Sequence, residues 1–353
     1  MDQWNDYLAA NGATARGSSD SDDNALAADS AGALSAAALA GGFVAVLDNF
    51  GLIGVSGEDA ASFLHNQLTN DVEHLGTGEA RLAGYCTPKG RLQATFLVWR
   101  SPESVYLLLP RELQPALQKR LSMFVMRAKA KLADAGDGVV ILGLGGAAAE
   151  TALRETLGSL PGGPYGKVDT DMGTLIRVAD AFDAPRFLWL TTPAHARELV
   201  GGLRAQLTLA GNQAWALSSI HAGVPIITQK TQEQFVPQMV NFELLGGVNF
   251  KKGCYPGQEI VARSQYLGKL KRRTALASID ARAKPGDEVF ADSDPGQPCG
   301  MIVNAADNGL GGVDVLVELK LAVLNGAAVH LGSADGAPLT FLTMPYPLDA
   351  IEV

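Results

Sequence analysis

The stretch Lys251-Lys252-Gly253-Cys254-Tyr255-Pro256-Gly257-Gln258-Glu259 sets one cysteine between two glycines, after a pair of lysines and before an amide and a carboxylate. Glycines at 253 and 257 suit a tight backbone that lets another group approach closely. Positive charge beside a thiol favours its thiolate, so Lys252 next to Cys254 points to a reactive sulfur. Gln258 and Glu259 offer an acceptor-rich edge to a ligand that carries N–H donors. The competing reading of the same residues is a turn that buries a small, inert cysteine.

The flanks narrow the choice. Upstream stand Pro237-Gln238-x-x-Asn241 and Gly246-Gly247-Val248-x-Phe250; downstream stand Ala262-Arg263, Tyr266, Gly268-Lys269 and Lys271-Arg272. With Lys252-Gly253-Cys254-Tyr255-x-Gly257-Gln258-Glu259 at their centre, they resemble the K-G-C-Y-x-G-Q-E signature and surroundings of the YgfZ-type folate-binding proteins. These are relatives of the glycine-cleavage T-protein, an aminomethyltransferase, and are linked to iron–sulfur cluster maintenance.

The resemblance implies an α+β fold in which three T-protein-like domains form a ring around a central folate channel, the last being an antiparallel β-barrel. The implied division is an acidic disordered tail over 1–40, then a folate-binding α/β domain made of 41–135 with 212–272. A second α/β domain follows over 136–211, and the barrel over 273–353. The implied cofactor is tetrahydrofolate or a related reduced folate, held by Asn241, Lys252, Gly253, Tyr255, Gly257, Gln258, Glu259 and Arg263. Cys254 is the implied catalytic residue, and no metal ligand is expected. The implied role is support of iron–sulfur enzymes, and thereby of tRNA modification, through client or assembly proteins. A cytoplasmic monomer with no direct nucleic-acid or membrane contact is expected.

Composition agrees with part of this. At 353 residues the chain exceeds one ordinary domain, and its 47% hydrophobic content is ample for a core. A net charge of −9 argues against a general nucleic-acid or membrane binder. The charge is uneven: residues 1–40 hold six Asp against one Arg, and residues 251–273 hold seven Lys or Arg against one Glu. That basic segment suits an anion or a solvated face equally. Cys86, Cys254 and Cys299 are widely spaced, without C-x-x-C, so a structural zinc site is not expected and a reducing compartment is. No apolar run approaches the roughly 20 residues that cross a bilayer, and the alanine-rich residues 31–40 lack the basic segment of a signal peptide.

Along the chain, residues 1–40 carry almost no large apolar side chain after Leu8, which predicts disorder. Leu52-Ile53-Gly54-Val55 reads as a strand, and Ser56-Gly57-Glu58-Asp59 as a capping box for a helix with Ala60, Phe63, Leu64 and Leu68 on one face. Leu68-Thr69-Asn70-Asp71-Val72 resembles a recurrent T-protein passage. Residues 91–100 predict a strand with Leu92, Ala94, Phe96 and Val98 on one face, paired with 105–109. A helix follows from about Arg111, strands are expected at 139–144, 174–178 and 186–190, and Thr192-Pro193 opens a further helix. After Arg273, short strands alternate with Gly, Asp and Pro turns, the pattern of a small antiparallel barrel or sandwich.

Two further patterns bear on chemistry. Gly143-Leu144-Gly145-Gly146-Ala147-Ala148 fits the dinucleotide fingerprint, with Asp169 or Asp171 at about the required distance. No regular βαβ series surrounds it, so a plain strand-to-helix turn is the favoured reading. Aminomethyl transfer, the other activity that the resemblance suggests, relies on an Asp on the strand after a Gly-rich turn. The matching run here is Gly90-Arg91-Leu92-Gln93-Ala94-Thr95, with Ala94 and Thr95 where an acid belongs. A side chain that cannot accept a proton cannot do that work, so folate-dependent one-carbon transfer is the second reading rather than the first. The histidines at 65, 74, 195, 221 and 330 show no ligand spacing and are read as ordinary core or surface residues.

Overall fold

The computed structural model describes residues 2–10, 33–266 and 270–348. Its framework is α+β, built on three sheets.

In the first sheet, Ala80–Cys86, Leu92–Arg100, Ser104–Pro110, Phe50–Ser56 and Lys131–Asp134 lie side by side, each antiparallel to its neighbour. Leu92–Arg100 is buried on both faces, as its run of apolar residues predicts. Ala94, Phe96 and Val98 pack with the helices Ala60–His65 and Gln114–Val125. Leu92 does not join them. Tyr85 pairs with Ala94 while Cys86 pairs with Leu92, so Gln93 is an inserted residue and the bulge turns Leu92 to the opposite core.

The second sheet runs in the order Thr208–Ala210, Phe43–Leu47, Val140–Gly145, Ala184–Thr191, Gly173–Ala181, Lys167–Thr170. Only the pairing of Phe43–Leu47 with Thr208–Ala210 is parallel among these. Phe43–Leu47, grouped by the sequence reading with the first unit, therefore belongs to this sheet. Phe43, Val44 and Ala45 are fully buried, which suits a strand hydrogen-bonded on both edges. The glycine run that ends Val140–Gly145 and continues into Gly146 carries no nucleotide geometry. Its neighbours are antiparallel, and the N–H groups of Ala147 and Ala148, which would face a phosphate, donate to the carbonyls of Ala40 and Gly41 at 2.8 and 3.1 Å. The turn reading holds.

The expected tail is ordered in two places. Asp2–Ala10 is a helix whose Trp4 and Leu8, one turn apart on the same face, are each 3% exposed. They pack in one core with Leu199, Val200 and Leu203 of the helix Pro193–Leu203. Ala36–Gly41 is a short helix capped by Ser35, with Leu39 fully buried. Composition averaged over forty residues hides two apolar anchors spaced to bury together. The part of the predicted disorder over 11–32 lies outside the described residues.

Other local readings need smaller changes. The capping box does not form, because Asp59 accepts a hydrogen bond from the Lys129 N–H at 2.7 Å instead of capping Ala60–His65. Thr192 does cap its helix, accepting from the His195 N–H at 3.3 Å.

The third sheet has the order Val329–Leu331, Glu288–Ala291, Asp294–Asp307, Val313–Lys320, Arg272–Ile279, Leu339–Leu342, all antiparallel. An isolated bridge between His330 and Pro338 brings its two edges together, so the sheet curls back on itself. The segment between the helix Asn212–His221 and the helix Gln258–Tyr266 ties the units together. Phe235 and Leu92 bond across it at 2.8 Å, Asn249 reaches Thr69 at 2.9 Å, and Asn304 accepts from the Ile226 N–H at 2.9 Å. This strap carries the 251–259 stretch.

Candidate functional site

The turn before Gln258–Tyr266 is held by backbone contact rather than by side chains. Gly257 has φ 82°, and a Cβ there would stand 2.4 Å from the Thr87 carbonyl and 2.7 Å from Gly90. Gly90, at φ 71°, would in turn strike Ile260. The two glycines let this turn lie directly on the Thr87-Pro88-Lys89-Gly90 turn of the first sheet. Tyr255 is buried, its phenol held above the usual range by burial and by the nearby Cys86. Cys254, one residue earlier, is exposed, which removes the inert buried reading. Cys86 and Cys299 are both buried, and burial pushes the Cys86 thiol up to about 12 and raises that of Cys299.

Lys252 has a different position from the one its place in sequence suggests. Its Nζ donates to the carbonyls of His65 and Leu68, the latter at 3.0 Å, and lies 4.9 Å over the Tyr255 ring. It satisfies carbonyls at and beyond the end of Ala60–His65. Burial pushes its ammonium down to about 8, against the pull of Asp71 and Cys254. Lys251 is exposed, as are Gly253, Glu259 and Arg263, and Gln258 is half-buried at the start of the helix.

Beside Gly253 lies a group that sequence spacing did not reveal. A Cβ on Gly253 would be 3.6 Å from His65 Nε2. His65 Nδ1 is 3.0 Å from Asp71 Oδ1, and His74 Nδ1 is 2.9 Å from Asp71 Oδ2. Burial works to raise the Asp71 carboxyl, but hydrogen bonds from His74 and the charges of both histidines outweigh it and hold the group low. The only trace in sequence is one Asp with a histidine six residues before it and another three after.

Asn241, assigned to the ligand from sequence, is fully buried in the left-handed conformation, its amide bonded to the Thr274 carbonyl at 2.8 Å. It joins the strap to the third sheet. Its neighbours Gln238, Glu243 and Arg273 also have buried side chains, but not all of their polar atoms are paired. Arg273 NH1 donates both to the Gln238 carbonyl, at 3.0 Å, and to Glu243 Oε1. Gln238 Oε1 and Glu243 Oε2 are buried without hydrogen-bond partners. Two orphaned acceptors beside one guanidinium suit a ligand that presents paired N–H donors, as a pterin does. Gln238 also reaches the motif helix, its amide donating to the Val261 carbonyl at 2.8 Å. A cleft of about 630 Å³ is lined by Ala275, Leu324 and residues 341–348. None of the motif residues lines it, but Tyr346 does, and that phenol donates to the Gly223 carbonyl at 2.8 Å and lies in the field of Glu243 and Arg273.

On the strand where a transferase acid would stand, Ala94 packs in the core. The Thr95 hydroxyl is engaged by the Pro225 carbonyl and the Ile227 N–H, and Gln93 donates to Glu233 at 2.8 Å. Among the described residues no three His, Cys, Asp or Glu side chains are placed to hold a metal ion. None of their helices is long and apolar enough to cross a membrane.

No family model matches the chain. It is similar to a solved structure of glycine cleavage system aminomethyltransferase T from Bartonella henselae. The TM-score is 0.70 at 15% identity, over 87% of this chain and 86% of that one, a likeness of fold. It is 34% identical over 228 residues to the tRNA-modifying protein YgfZ of Enterobacter sp. (strain 638), covering 64% of this chain and 68% of that protein. It is 30% identical over 317 residues to the tRNA-modifying protein YgfZ of Edwardsiella ictaluri (strain 93-146), covering 87% and 93%. With the K-G-C-Y-x-G-Q-E turn in place and relatives matched over most of their length, this chain belongs to the YgfZ family.

Proposed function

We propose that this chain is a tetrahydrofolate-binding accessory protein that supports the assembly or repair of iron–sulfur enzymes, and through them tRNA modification, with Cys254 as its working thiol. Its three sheets would form a ring around a folate channel, in a cytoplasmic monomer whose partners are iron–sulfur client or assembly proteins.

The observation that carries the reading is the placement of Cys254. Of the three cysteines it alone is exposed, on a turn fixed by the Gly90–Gly257 contact. For the folate, Gln238 Oε1 and Glu243 Oε2 offer acceptors to the pterin N–H groups, beside a cleft of suitable size. Reduced folate, when bound, supplies one-carbon chemistry. One-carbon transfer by this chain is not favoured, because the strand Leu92–Arg100 carries no acid.

The test is complementation. In a bacterial strain deleted for its own YgfZ relative, this chain is expected to restore the activity of iron–sulfur enzymes and the level of modified tRNA nucleosides. Expression at normal levels with neither restored would overturn the reading.

A further inference from the structure

We propose that His65, oriented by Asp71, is the base that takes the proton of Cys254, so that the three residues form a thiol–imidazole–carboxylate relay. The inference rests on the reading of Cys254 as the working thiol.

His65 is only 8% exposed, and its two ring nitrogens have different surroundings. Nδ1 lies 3.0 Å from Asp71 Oδ1, within reach of a charge-assisted hydrogen bond. A carboxylate accepts and does not donate, so the ring proton sits on Nδ1 and Nε2 is left as the basic atom. Nε2 has no hydrogen-bond partner among the described residues, and it faces the glycine that precedes Cys254, 3.6 Å from where a Cβ on Gly253 would stand. At that distance the turn and the ring lie in van der Waals contact, so the imidazole flanks the backbone that carries Cys254. A buried imidazole with one nitrogen anchored to a carboxylate and the other unpartnered, beside the residue that precedes the thiol, is placed to take the proton once the exposed Cys254 side chain turns to it.

The other charged groups around His65 are accounted for. Lys252 donates to the His65 and Leu68 carbonyls, so its ammonium is anchored to backbone. Arg81 NH1 donates to the Asp71 carbonyl at 2.8 Å and pairs with Glu79. His74 shares the Asp71 carboxylate, its largely exposed ring on Oδ2 and its backbone N–H on Oδ1 at 3.1 Å. Lys251 is exposed. The step itself is a proton transfer. The Cys254 S–H bond breaks, an N–H bond forms at His65 Nε2, and the resulting thiolate–imidazolium pair is neutral overall. Asp71 stabilises the imidazolium without itself taking the proton.

The test is alkylation of the full chain by iodoacetamide, followed at Cys254 by peptide mass spectrometry between about pH 5.5 and pH 9.5. A thiolate–imidazolium pair stays reactive in acid, where an isolated thiol is silent. At about pH 6, His65→Gln is expected to slow labelling of Cys254 about tenfold, and at the alkaline end the two proteins converge to within about twofold. Asp71→Asn is expected to slow labelling in acid as well, because an amide can donate to Nδ1 and favour the wrong tautomer. His74→Gln, which removes one of the partners of the Asp71 carboxylate but not the ring that faces the thiol, is expected to slow labelling in acid less than His65→Gln does. Labelling of buried Cys86 and Cys299 reports misfolding in any variant, and a variant that shows it is replaced by His65→Asn. Identical profiles for wild type and folded His65 variants across the whole range would overturn the relay. That result would leave the role of Cys254 standing, because that role is judged by complementation with Cys254→Ser.

Discussion

Cys254→Ser is expected to fold as the wild type does and to leave iron–sulfur enzyme activity, in the deleted strain, at the level of the empty vector. The residue is exposed and packs in no core, so replacing sulfur by oxygen should move stability by no more than about 0.5 kcal/mol. What the change removes is nucleophilicity, since a serine hydroxyl next to the same groups stays protonated at neutral pH. The same variant is expected to bind reduced folate normally. Urea unfolding and complementation, measured on the same protein, separate the two effects. Full complementation by Cys254→Ser would show that the thiol has no part in function. Labelling of the wild type by iodoacetamide adds a second reading. Cys254 is expected to react ahead of Cys86 and Cys299, whose thiols are buried and held protonated.

Arg273→Met is expected to destabilise the protein by about 3–5 kcal/mol, because it leaves a buried carboxylate without its cation. The side chains of Arg273 and Glu243 are 6% and 4% exposed, and Arg273 also bonds the Gln238 carbonyl. The pH dependence has a definite sign. Burial raises the Glu243 carboxyl above its ordinary range, with Arg273 opposing. A carboxyl raised in the folded state gives stability that is fully present below its unfolded value and is lost as pH rises through the folded one. Removing Arg273 raises the group further, so the defect should be smallest near pH 5 and grow toward neutral pH. Adding Glu243→Gln to Arg273→Met should recover part of the loss at neutral pH. Urea unfolding at several pH values measures both effects. A defect independent of pH, unrelieved by Glu243→Gln, would show that Arg273 acts through packing alone.

Much of the framework was legible because its signals are local. The strand Leu92–Arg100, its partner Ser104–Pro110 and the Thr192 cap follow from period and capping chemistry within a few residues. So does the need for a glycine at 257, although the partner that requires it, the Thr87–Gly90 turn, is over 160 residues away in the chain. What escaped is long-range. Nothing within Phe43–Leu47 shows that it pairs with Val140–Gly145 rather than with the strands that follow it. The bulge at Gln93, which turns Leu92 over, is set by the register with Tyr85 and Cys86. Trp4 and Leu8 were lost in an acidic, alanine-rich average.

The site divides in the same way. The motif marked the exposed thiol and its glycines, but the direction of Lys252 toward two carbonyls depends on where Ala60–His65 ends. Apolar spacing carries that helix on to Leu68, whereas it ends at His65, whose imidazole lies against Asp71. Asn241 drew attention as an amide near the motif, yet its bonds to Thr274 make it a joint, while Gln238 and Glu243 beside it keep unpartnered oxygens.

The most direct measurement is calorimetric titration of the full chain with tetrahydrofolate under anaerobic conditions, paired with a thermal-shift series. A saturable, one-to-one heat is predicted, with stabilisation approaching about 2.7 kcal/mol at a hundredfold excess over Kd. Glu243→Gln should weaken the heat, and Cys254→Ser should leave it unchanged. No heat and no thermal shift at millimolar tetrahydrofolate would contradict the account.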